Sequence, residues 1–187
     1  MATKKLSDLQ KVMELMGEAY FFKTLPELSG TTDILADADF EMPISEEGVS
    51  LNVGDPDITR KKITAGINWI TFAKRSDDEM TMQVPSFDDS LNELFLTKKG
   101  TTKTVKVGSD TYEGSSYSLA PKKFKGAWVF CNPEHTIVII LPNTENYATF
   151  KGPAGDSEGY YNVAMTSLGD ADGADIIILH KKTTARA

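Results

Sequence analysis

From residue 48 onward apolar and polar side chains alternate along the chain, and this period of two predicts a succession of strands. In 49–53 the order Val, Ser, Leu, Asn, Val is that of a half-buried strand, and Gly54-Asp55-Pro56-Asp57 closes it with turn residues. After a charged step at 59–62, apolar residues at Ile63, Ala65, Ile67 and Trp69, then at Ile70 and Phe72, predict a long strand over 63–73. Its apolar face changes side at Trp69, the mark of a bulge or bend. A charged turn at 74–78 leads into 79–84, where Glu79, Thr81 and Gln83 alternate with Met80, Met82 and Val84. Further strands are expected over 103–107, 112–119, 124–131, 135–141, 147–151, 159–168 and 174–180, separated by Gly, Pro, Asn and Asp turns. Short strands at regular spacing point to a β-sandwich or barrel.

Two segments follow the helical period instead. In 7–20, Ser7 and Gln10 have capping-box spacing, and Leu9, Val12, Met13, Met16 and Tyr20 return to one face. In 87–96, Ser86 is placed to cap a short helix, Asp88 and Asp89 suit its positive end, and Phe87, Leu91, Leu94 and Phe95 point inward. Between 23 and 47 neither period holds: Pro26, Gly30 and Pro43 interrupt a stretch carrying Asp33, Asp37, Asp39, Glu41, Glu46 and Glu47, which reads as an extended acidic arm. The expected organisation is a helical segment at 1–22, the arm at 23–47, a β-rich part at 48–180 and a mobile polar tail at 181–187. At 187 residues these form one domain, mainly β with one or two short α-helices.

Composition narrows the function classes. With 40% hydrophobic and 25% charged residues the chain has the makeup of a folded globular protein. The longest strongly apolar run, TIVIIL at 136–141, is far below the ~20 residues of a membrane-spanning helix. Charges at Asp8, Lys11 and Glu14 break the apolar core that a secretion signal needs, so synthesis in the cytoplasm is expected. A net charge of −7 argues against a protein that grips a phosphate backbone, but suits one that lets a polyanion pass beside it. Cys131, the one cysteine, sits in WVFCNP and reads as a buried structural thiol.

Reactive chemistry finds little support. In DADGAD, 170–175, glycine stands fourth where a calcium loop places it sixth, and Lys181 occupies the position of the required Glu; the stretch reads as a turn with Gly173 at positive φ. Gly152-Pro153-Ala154-Gly155 lacks the Lys-Ser/Thr ending of a phosphate loop, and Asp156 and Glu158 follow it. His135 and His180 have no ligand-spaced partner, and no serine lies in a nucleophile context. No catalytic residue, metal or cofactor is expected, and the chain reads as non-enzymatic.

The segments GVSLNVGDPDITRKKITAGINWITFA and EMTMQVP, the helix SFDDSLNELF and the closing strand DGADIIIL together resemble the tail tube (major tail) proteins of long-tailed bacteriophages, and more distantly the inner-tube proteins of contractile injection systems. The resemblance covers about a third of the chain. It implies a β-sandwich or barrel-like virion subunit, six of which form a ring; rings stack into a hollow tube whose wall is a β-barrel shared among subunits, and DNA transits the lumen without specific binding. The implied partners are further copies of the chain and other tail proteins, with no membrane. Glu79, Thr81 and Gln83 would then face the lumen, and Asp55, Asp57, Arg60, Lys61 and Lys62 would form a loop in contact with the next ring. The rival expectations are another virion or secretion-apparatus component, such as a decoration, terminator or completion protein, and a β-rich binding module or unrelated enzyme.

Overall fold

The computed structural model describes residues 16–28, 30, 33–45, 49–52, 55–62, 68–75, 79–155 and 158–182, with the backbone alone for 56–62, 68–75 and 79. Strands β1 (Glu18–Phe22) and β2 (Phe40–Met42) precede β3 (Val49–Asn52), β4 (Pro56–Lys62), β5 (Asn68–Arg75) and β6 (Glu79–Val84). A helix α1 (Asp89–Phe95) follows, then β7 (Thr97–Lys98), β8 (Lys103–Val107), β9 (Asp110–Gly114) and β10 (Tyr117–Ser118). The chain closes with β11 (Lys123–Cys131), β12 (Ile137–Lys151), β13 (Tyr160–Ser167) and β14 (Ile177–His180). Hydrogen bonds order seven strands as β2-β1-β11-β12-β13-β6-β3, with β14 also on β12, and form the separate pairs β4-β5, β7-β10 and β8-β9. The fold is mainly antiparallel β with one short α-helix among the described residues. Two compact units share the chain: residues 1–48, 125–145 and 167–187 form one, 49–124 and 146–166 the other.

In the first unit β11 is apolar on both faces, and this dictates its surroundings. Trp128 and Phe130 lie on one face, where the Phe21 ring stands 4.9 Å from Trp128 across the β1-β11 ladder. On the opposite face Ala127, Val129 and Cys131 cluster with Phe22 and Ile140, covered by Leu25, Ile34, Leu35 and Ala38. The expected extended arm is therefore corrected: its apolar residues roof the sheet. Within it Ile34–Asp37 forms a 3-10 turn capped by the Asp33 carboxylate, which accepts from the Leu35 N–H at 3.1 Å. Then β2 returns to pair with β1, Phe40 opposite Phe21. Its carboxylates stay exposed at Asp37 and Glu41, while Asp39 accepts from the Lys23 N–H at 2.7 Å.

Several other expectations change. Of the helix predicted over 7–20, residues 7–15 lie outside the described residues, and Glu18 to Tyr20 belong to β1. Residues four apart, such as Met16 and Tyr20, share a face in a strand as well as in a helix, so that spacing could not separate the two. The strands predicted at 135–141 and 147–151 are one, β12, running through Pro142. Asn143 keeps it continuous: its carbonyl accepts from the Leu168 N–H at 2.9 Å and its side-chain amide donates to the Gly169 carbonyl at 2.9 Å. The strand expected over 112–119 divides into β9 and β10 around Ser115 and Ser116.

In the second unit α1 is capped by Asp88, not Ser86: the Asp88 carboxylate accepts from both the N–H and the hydroxyl of Ser90, which holds its pKa below the ordinary value. Leu91 and Phe95 are buried as expected, whereas Phe87 is 42% exposed before the helix begins. Tyr161 anchors this unit. Its ring lies 5.0 Å from Phe95 and 5.3 Å from Phe87, and its hydroxyl donates to Asn92 Oδ1 at 2.7 Å.

Gly126 is required where β1 runs beside β11, because a Cβ there would overlap the Phe21 ring and the Phe22 carbonyl oxygen. Gly126→Ala should lower the unfolding free energy by about 1–3 kcal/mol in urea titrations, the usual cost of overpacking. Gly114→Ala, whose added carbon would meet nothing within 4 Å, should stay within about 0.5 kcal/mol of wild type.

Candidate functional site

The sheet β3-β6-β13 is strictly two-faced, because its strands alternate and its registers align like with like. Met80, Met82 and Val84 of β6 are all buried, and beside them on β13 lie buried Tyr161, Val163 and Met165. The other face is built by the residues between them. Thr81 stands between Ser50 on β3 and Ala164 on β13, and Gln83 stands opposite Asn162. Ser50, Thr81, Gln83 and Asn162 are half-buried and Ala164 is exposed, so the middle of this face meets the surroundings with small or amide groups. At its end Glu79 pairs through its backbone with Asn52, whose side-chain amide donates to Ser50 Oγ at 3.0 Å.

Of the three residues predicted for this face, Thr81 and Gln83 are thus brought together on it, and Glu79 is placed by backbone register. Ser50, Asn162 and Ala164 were missed as members of the same surface. Each lay in a segment already legible as a strand, but the strand order that makes 49–52 and 160–167 flank 79–84 is a long-range pairing without a local signal.

The predicted contact segment differs in form. Residues 56–62 are not a loop but strand β4, antiparallel to β5, so Asp57, Arg60, Lys61 and Lys62 stand along a hairpin, with Asp55 exposed just before it. Lys61 pairs with Ile70 and Lys62 with Asn68, so the ladder skips Trp69. The bulge read from the change of apolar face falls on that residue. Of the long strand expected over 63–73, residues 68–73 are in β5, and 63–67 lie outside the described residues.

Elsewhere the candidate chemistry resolves into structure. Asp170 Oδ1 accepts from the N–H groups of Asp172 and Ala174, and Gly173 adopts φ +81°, which makes DADGAD a self-satisfied turn. His135 occupies the left-handed region at φ +50°, its Nε2 2.8 Å from Glu18 Oε2, to which the Tyr20 hydroxyl also donates at 2.9 Å. Cys131 is fully buried. Among the described residues no group of three or more His, Cys, Asp or Glu side chains converges as metal ligands would.

The second unit also carries a groove of about 610 Å³ beside α1, with Phe87, Phe150, Tyr117 and Tyr161 in its wall. Neither the known protein families nor the curated proteins contain a match to the chain.

Burial raises the Cys131 thiol from 9.0 to about 11, helped by the charges of Glu18 and Asp33. Burial, then the hydrogen bond and charge of Glu18, raises Tyr20 from 10.0 to about 12. Both neutral forms are favoured by the fold, so their stabilisation is complete below pH 9 and is lost as pH rises through about 11 to 12. Urea midpoints should therefore hold from about pH 7 to 9 and fall beyond that, and Cys131→Ala should flatten the first part of the fall. The thiol of the native protein should resist a thiol reagent near neutral pH and react on unfolding.

Proposed function

We propose that this chain is a non-enzymatic structural virion protein, copies of which close into rings, hexameric as the resemblance implies, and stack into a tail tube through which DNA passes. The observation that carries the reading is the β3-β6-β13 sheet with one apolar buried face and one polar face that is uncharged in its middle, with Glu79 at its end by register. A tube wall facing DNA must be wetted, yet must not bind phosphate. Thr81, Gln83, Ser50 and Asn162 hold water by hydrogen bonding and release no counterions from DNA, so a polyanion gains nothing by adhering to them. Among the described residues β3 ends the hydrogen-bonded order, with β6 as its one strand partner. A strand from the next copy added to that edge would continue the sheet across subunits and remove an aggregation-prone edge.

A second reading, a β-rich binding module, rests on the groove beside α1, where Phe87 and Phe150 are 42% and 40% exposed. Negative-stain imaging separates the two. Hollow rings or tubes are expected from concentrated protein or with nucleating particles; a compact monomer under every condition would overturn the tube and favour the module.

In assembled tubes Thr81→Cys and Gln83→Cys should react with a small maleimide and be shielded from a bulky one, while buried Cys131 stays silent. Equal reaction with both reagents would remove these residues from the lumen. Replacing Arg60, Lys61 and Lys62 by Glu should leave rings intact and shorten tubes at least severalfold, as judged by length distributions in the same images.

A further inference from the structure

The apolar run Ile176-Ile177-Ile178-Leu179 leads into and forms most of β14 in the first unit. Its antiparallel register on β12 sets Leu179 opposite Val138, Ile178 opposite Ile139 and Ile177 opposite Ile140. Ile139 and Ile140 are buried, whereas Ile176, Ile178 and Leu179 are 39%, 44% and 44% exposed. Among the described residues β14 pairs with β12 alone, so its other edge carries no strand. Neither a proline nor a bulge interrupts it, and an apolar edge without such a device is a template for a further strand.

Hydrogen bonding to β12 fixes which residues address that edge. The Lys181 N–H donates to the Thr136 carbonyl at 2.9 Å, so the alternate residues Leu179 and Ile177 turn their backbone groups towards β12. Ile178 and His180 turn theirs outward. Charge is laid out along the same segment: Asp170, Asp172 and Asp175 precede the apolar run, and Lys181 and Lys182 follow it. Asp175, Lys181 and Lys182 are exposed. The strand therefore has an acidic start, an apolar middle and a basic end.

We propose that β14 is an interface between two copies of this chain, which pair their β14 strands antiparallel about a two-fold axis at Ile178. Such a strand is complementary to itself only in that direction: antiparallel pairing joins acidic start to basic end, whereas parallel pairing sets like charges side by side. Backbone and charge then select one register. Residues whose groups turn outward must oppose each other, so the pairing can be centred on Ile178 or on its neighbours Ile177 and Leu179, but not between residues. Centred on Ile178, it sets Asp175 opposite Lys181 of the other copy at both ends; centred on Ile177 or Leu179, it sets Gly173 or Ile177 there instead. The Ile178 register also places Ile178 against its counterpart and Ile177 against Leu179, so apolar side chains meet at successive positions. The open edge of β3 suits β14 less well, because Ser50 and Asn52 alternate with its apolar residues. The contact is isologous and closes at two copies. It lies in the first unit and does not depend on the tube reading, which uses the β3 edge of the second.

Two experiments on the full chain test it. In a Cys131→Ala background, Ile178→Cys should form a disulfide-linked dimer under mild oxidation, because residues opposed across such a pair lie about 5.5 Å apart, within disulfide reach. Ile176→Cys should not, since its two copies would stand about 14 Å apart along the strands. Equal linkage of the two variants, or none with Ile178→Cys in a protein folded by circular dichroism, would overturn the pairing. Separately, sedimentation equilibrium of the otherwise unchanged protein should show a dimer. Ile178→Lys, which sets like charges against each other on the axis, should weaken it about tenfold or more. Asp175→Lys should weaken it too, and adding Lys181→Asp should restore it. A protein that stays monomeric at its highest soluble concentration, or a dimer indifferent to Ile178→Lys, would count against the proposal. Hollow tubes from a protein whose Ile178→Cys variant does not link would remove the β14 contact and leave the tube reading standing. Linkage through Ile178→Cys in a protein that forms no ring would do the reverse.

Discussion

Strand β11 has apolar side chains on both faces, and both must leave water. Burying such side chains is worth roughly 1.5–3 kcal/mol each, so a strand carrying Trp128, Val129 and Phe130 in sequence constrains whatever lies above and below it. Above, the Phe21 side chain of the neighbouring strand β1 lies 4.9 Å from Trp128, and its ring leaves no room for a side chain on Gly126. Below, the segment that holds most of the chain's clustered carboxylates is drawn onto the sheet by Leu25, Ile34, Leu35 and Ala38. Acidity on the outside and packing on the inside are two properties of one segment, and the second fixes where the first is displayed.

The second unit answers a different requirement. Its strands β6 and β13 bury one face only, and the opposite face is left with Thr81, Gln83, Asn162 and Ala164. The aromatic cluster around Tyr161 stabilises the buried side, with the Tyr161 hydroxyl satisfied by Asn92 of α1. Helix and sheet are thereby fixed to each other by a polar contact within an apolar setting, where leaving that hydroxyl unpaired would cost about 1–3 kcal/mol.

Much of this was legible in the chain. Alternation located β3, β6, β8 and β13, turn residues bounded β11, and alternation separated Thr81 and Gln83 from Met80, Met82 and Val84 before any contact was known. The change of apolar face at Trp69 identified the residue that the β4-β5 ladder skips. Cys131 and DADGAD were readable as structure because their surroundings lack the neighbours that reactivity or calcium would need. Local pattern failed where two periods coincide, as at Met16 and Tyr20, and where a turn residue is overruled. Pro142 and Asn143 looked like a break, and hydrogen bonds with residues 168 and 169 carry the strand through them.

The sequence by itself determined which residues share a face within each strand, because side-chain alternation is a local property of the backbone. It also determined the separation of acidic from basic stretches. Only the tertiary structure decided that Leu25, Ile34, Leu35 and Ala38 roof a sheet, that 49–52 and 160–167 flank 79–84, and that 56–62 is a strand rather than a loop. Those outcomes depend on pairings between residues far apart in the chain, whose free energy comes from shared burial and ladder hydrogen bonds that no single segment possesses alone.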